Sequence, residues 1–121
     1  MAADCKYDIR GFSADLGLPL PDIANLYSEL VQEIAANVAV LQDLLPAKDW
    51  EAIRATIHNI KGISVNYRVM DLYEEAVKIH NAVKAGAYDQ VAPEVKMLVQ
   101  ISRAAIREIK QYFAAAGIPI G

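Results

Sequence analysis

The stretch TIHNIKGISVNY, Thr56–Tyr67, places His58, Lys61 and Gly62 side by side in a single segment. An imidazole is a nucleophile whose charge changes near neutral pH. A lysine ammonium binds an oxyanion as a point charge. On an α-helix each residue advances about 100°, so Lys61 and Gly62 share the His58 face one turn later, and Arg54 and Ala55 share it one turn earlier. Ile53, Ile57 and Ile60 form the apolar row of this segment, which leaves His58 on or near its solvent side. Gly62 costs about 1 kcal/mol relative to alanine in a helix interior. A sequence tolerates that cost where a side chain would obstruct something. A side chain at 62 would stand over the turn beside His58. An accessible imidazole, an open flank and a nearby cation suit a histidine that carries a phosphoryl group.

The surrounding chain must hold that imidazole in place. Residues 1–19 contain Gly11, Gly17 and Pro19 and read as an irregular extension, of which Ile9, Phe12, Leu16 and Leu18 could fold over a core edge. After it, Pro21 suits a first helical turn. From there Ile23, Leu26, Leu30, Ile34, Val38, Leu41 and Leu45 recur at steps of three and four, predicting a long helix that ends at Pro46. Asp49 is placed to cap the His58 helix, which should end near Asn66–Arg68. Asp71 is placed to cap a third helix bearing Leu72, Ala76, Ile79 and Val83, with Gly86 just past its end. A last helix spans about Gln90–Ala115 and stops at GIPIG. No segment alternates with period two. Four amphipathic helices joined by short loops predict an all-α, antiparallel, up-and-down four-helix bundle over residues 20–116, with residues 1–19 as a short N-terminal extension.

Composition narrows the function classes. The chain has 121 residues, 55% hydrophobic and 22% charged, which suits one globular domain. A net charge of −3 with scattered lysines and arginines argues against nucleic acid as the main partner. The single cysteine, Cys5, forms neither an internal disulfide nor a zinc pattern, and the reducing cytoplasm is the expected compartment. The N-terminus lacks the apolar core of a signal peptide, and the most apolar stretch, broken by Asn37, Gln42 and Asp43, is too polar to span a bilayer. Nothing marks a dimer seam, so a monomer is expected.

HNIKG followed by Ser64, on the second main helix of such a bundle, resembles the histidine-containing phosphotransfer (HPt) domain family. The similarity extends back through LLPAKDWEAI and forward through Leu72, Ala76 and VKAGAYDQV, covering about residues 20–115. The resemblance implies a phosphorelay intermediate of two-component signalling. His58 would accept a phosphoryl group from one receiver-domain aspartate and donate it to another. Lys61 would be the charge partner and Gly62 the access residue, with Ser64 following the motif in a supporting place. The partners implied are a response-regulator receiver domain, a hybrid sensor histidine kinase, or both. The resemblance implies a carrier with no ATP site of its own, and the sequence shows no phosphate-binding glycine loop. No cofactor is expected on this chain, since the receiver brings the Mg²⁺. Ile63, where the family usually has a small residue, and Arg68, where a glycine commonly follows the helix, depart from the pattern. His80 lies as far after the Arg68–Val69 turn as His58 lies before it, where the family often has Gln or Glu. The resemblance therefore also implies a hydrogen bond from His80 to His58.

Blander readings remain for each residue. His58 and His80 can be ordinary surface or interhelical histidines, Lys61 a solvated lysine, Gly62 a packing residue and Ser64 a small residue at a helix crossing. The alternative function is a helical docking bundle that binds a kinase or receiver without being phosphorylated. A metal-binding bundle using His58 and His80 is disfavoured, because neither has the Glu-x-x-His spacing of bundle metal sites.

Overall fold

A computed structural model describes residues 5–121, and every described element is helical. Five α-helices run in the order α1 (Ile9–Leu16), α2 (Leu20–Ala47), α3 (Trp50–Asn66), α4 (Met70–Lys84) and α5 (Val91–Ala115), with a 3₁₀ turn at Tyr88–Gln90 before the last. Helix α2 packs on α3 and α5, and α4 packs on the same two, so α3 and α5 occupy opposite corners of a helical bundle.

The boundaries follow local chemistry. Pro21 sits in the first turn of α2, where a missing N–H leaves no bond unmade. Helix α2 continues through Pro46, one residue beyond the expected stop, and ends at Lys48 in the left-handed region (φ 55°). Asp49 caps α3, its carboxylate accepting from the Ala52 N–H at 3.2 Å. At the other end Arg68 turns the chain with φ 62°, while the Val69 N–H donates to the Ser64 carbonyl at 2.8 Å. Gly86 (φ 74°) closes α4 as its spacing predicts. Asp71 is not the cap of α4. The cap position is Val69, and the Asp71 carboxylate accepts from the Tyr7 hydroxyl and pairs with Lys6 Nζ at 2.8 Å. These partners come from far up the chain, which is why local spacing missed them.

Ile53, Ile57 and Ile60 hold α3 in the core, each fully buried against apolar residues of its neighbours. Each contributes roughly 2 kcal/mol of burial. This row fixes the rotation of α3 and so turns His58 outward.

The extension is not irregular as expected. Residues 9–16 form a helix, capped by Asp8 through the Gly11 N–H. Ile9 is buried, and Phe12 packs 5.4 Å from both Tyr27 and Tyr67, centroid to centroid. The Arg68 guanidinium pairs with Asp8 and Asp15 and lies 5.9 Å from the Phe12 ring. Leu16 and Leu18 stay exposed. Residues 1–4, the start of the extension, lie outside the described residues.

Candidate functional site

His58 projects from the middle of α3 and is exposed, with half-buried Lys61 and exposed Gly62 on the next turn. A Cβ built on Gly62 meets no heavy atom within 4 Å. The fold therefore has no packing need for a glycine there. A helical side chain leans back over the preceding turn. At position 62 that turn holds His58, so the missing side chain clears the imidazole.

Helix α4 brings His80 level with His58, as the register predicts. The ring centroids lie 6.4 Å apart with the planes inclined at 44°. No hydrogen bond joins the two rings, which corrects that expectation. Rings that share an N–H···N bond sit closer, because each nitrogen lies only about 1 Å from its centroid and the bond itself spans about 3 Å. Sequence register sets the level of two residues on neighbouring helices but not the gap between them.

The ground on this side of His58 is cationic. Burial depresses the His80 pKa first, and the nearby charges of Lys61, Arg54, His58 and Lys84 push it further down. Three cations from α3 and α4 thus act on the space beside the two rings. Arg54 also holds Glu51 at 2.8 Å along its own helix. Arg54 and Lys84 were not assigned to the site from sequence. The i−4 step from His58 to Arg54 carried a signal for the first.

The opposite side is open. A shallow cleft of about 460 Å³ between α2 and α3 is lined by Glu33, Asn37, His58, Asn59, Gly62, Ile63 and Asn66. Glu33 and Asn37 left no local mark in the sequence, since only helix pairing brings them here. Ile63, half-buried, forms part of the cleft wall. Ser64 faces away from the site. It is fully buried, and its hydroxyl donates to the Ile60 carbonyl at 2.6 Å. It fits the packing reading.

The imidazole therefore stands between a cationic ridge and an uncovered cleft. An anion bonded to a ring nitrogen would meet positive charge on one side, and a partner could enter from the other. Among the described residues no three His, Cys, Asp or Glu side chains gather to hold a metal, and no helix is long and apolar enough to cross a membrane. A family model described as Hpt domain matches residues 25–116 of the chain. No curated protein and no solved structure matches it.

Proposed function

Because the chain belongs to the Hpt domain family, whose members serve histidine phosphotransfer in phosphorelay signalling, we propose that His58 is its phosphoryl carrier. An unprotonated ring nitrogen of His58 attacks the phosphorus of a receiver aspartyl phosphate. The N–P bond forms as the acyl-phosphate P–O bond breaks, and the aspartate leaves as a carboxylate. The reverse reaction delivers the group to a second receiver. The partners are a response-regulator receiver domain, a hybrid sensor kinase, or both, and the receiver supplies the Mg²⁺.

The observation that carries this proposal is the setting of His58, an exposed imidazole beside an open cleft, cleared by Gly62 and with Lys61 on the next turn of the same helix. Lys61 neutralises the phosphoryl oxygens. His80 is a supporting residue that stands level with His58, its ring 6.4 Å away and its pKa pushed down by burial and the surrounding cations. The chain presents the nucleophile and does not itself bind ATP. It works as an antiparallel up-and-down bundle over residues 20–116, a monomer in the cytoplasm, with residues 8–16 folded onto one end. The receiver docks over the cleft formed by α2 and α3.

The test is transfer from a panel of phosphorylated receiver domains. Label moving onto the folded chain within minutes supports the carrier role. A folded chain that binds a receiver yet takes no label from any of them would leave only the docking bundle.

A further inference from the structure

A second surface lies on the corner of the bundle diagonal to α3. Lys96, Arg103, Arg107 and Lys110 of α5 follow one another at steps of seven, four and three. At about 100° per residue they fall within roughly 60° of the helix circumference, in a row about 21 Å long. Three are exposed and Lys110 is half-buried, and none forms an ion pair among the described residues. The two carboxylates of α5 turn elsewhere, Glu94 to Glu75 and Glu108 to the backbone N–H of Lys6. Where α2 borders the row it contributes Gln42, Leu45 and Pro46, none of them charged. In a chain of net charge −3 this row is a local reversal of sign. Beside its first half runs a groove of about 490 Å³ between α2 and α5, walled by Leu45, Pro46, Val95 and Val99 and edged by Lys96 and Arg103.

We propose that this face docks an acidic amphipathic helix of a partner protein. Cations at helical spacing come level with carboxylates at i, i+4 and i+7 on a helix laid alongside, and the row matches a helix of about 14 residues. The groove takes apolar side chains from the inner edge of that helix, the usual arrangement of a helix seated in a groove. An anionic lipid surface fits less well. Surface-bound helices insert protruding bulky apolar residues beside their cations, whereas here Met97 is the one exposed large apolar side chain of α5 and the valines beside the row line a concave groove. The face lies away from His58, because α2 and α4 separate α5 from α3. A tethered partner and a receiver at His58 can therefore be engaged together. The proposal stands whether or not His58 is phosphorylated.

The test uses a fluorescein-labelled synthetic helix of 14 residues, with glutamates at i, i+4, i+7 and i+11 and leucines along one edge. Its control is a scrambled peptide of the same composition. Saturable binding at low salt, weakened about tenfold by scrambling and again by raising the salt several-fold, is expected. Amide shift changes should centre on residues 96–110 and 42–46. The R103E/R107E variant should lose at least tenfold in affinity, and the milder R103A/R107A several-fold, with unchanged circular dichroism. Equal binding of the scrambled peptide, shift changes centred on His58, or full affinity in both variants would overturn the proposal. So would vesicles containing phosphatidylserine that bind through the same residues while the helix does not.

Discussion

Two positions near the C-terminal end of α3 invert the usual use of glycine. Gly62 has ordinary helical geometry and empty space where a side chain would go. Arg68, just past the helix end, holds a left-handed φ of 62° that favours glycine and burdens a residue with a Cβ. The first position lacks a side chain that the fold would accept. The second keeps a side chain that its backbone disfavours. At Arg68 the reason is inside the molecule, because the guanidinium binds Asp8 and Asp15 and covers Phe12, fastening α1 to the bundle. At Gly62 the fold shows no such reason, and the proposed carrier role supplies one, room for a partner at His58. On the proposed function, one end of this segment serves a partner and the other serves the fold.

Substitutions should separate the two roles. The largest effect is expected for Gly62→Phe, which puts a ring over His58 and should slow phosphoryl transfer by about 100-fold. Gly62→Ala should meanwhile raise stability by about 1 kcal/mol in urea unfolding. A fast, normally transferring Gly62→Phe protein would break the comparison. Lys61→Ala comes next, with transfer or phosphohistidine persistence falling about tenfold and thermal stability unchanged, as for loss of one charge-assisted contact. Arg68→Gly should do the opposite. It relaxes the turn but frees α1, so amides of residues 9–16 should exchange about tenfold faster while transfer rates hold. Slower transfer with a fully protected α1 would move Arg68 to the partner side.

The smallest effect concerns a buried carboxylate on α4, next to a carboxylate of α5. Glu75 is buried, one of its oxygens has no hydrogen-bond partner, and burial followed by the adjacent Glu94 raises its pKa to about 7. Its folded-state pKa exceeds the unfolded one, so the folded protein holds the extra proton. The resulting stability is fully present below about pH 4.5 and is lost as pH rises through about 7. Glu75→Gln should therefore raise the Tm at pH 8 by a few degrees and flatten its pH dependence, read by circular dichroism. A parallel pH profile in the variant would remove the extra proton on Glu75 from the account.

The helices and the His58 face were legible because both rest on one number, the helical period. Ile53, Ile57 and Ile60 had to be inside, and so His58 had to be outside. Helix α1 was not legible. Gly11 and Gly17 punctuate it, and tertiary contacts from Phe12 and Arg68 hold so short a helix in place. Asp71 looked like a cap because its long-range partners, Lys6 and Tyr7, leave no local trace. At the site, Lys61 and Gly62 followed from spacing along one helix. Glu33, Asn37, Lys84 and the 6.4 Å gap to His80 depend on how helices pair, which period alone does not specify.

The central claim is that one imidazole, at position 58, carries the phosphoryl group. The most direct measurement is fragmentation mass spectrometry of the chain after phosphorylation by a receiver, at neutral pH and after brief acid treatment, beside His58→Gln. The account predicts a single phosphate on residue 58 that disappears in acid and is absent from the variant. A phosphate on His80, or one that survives acid or the loss of His58, would contradict it.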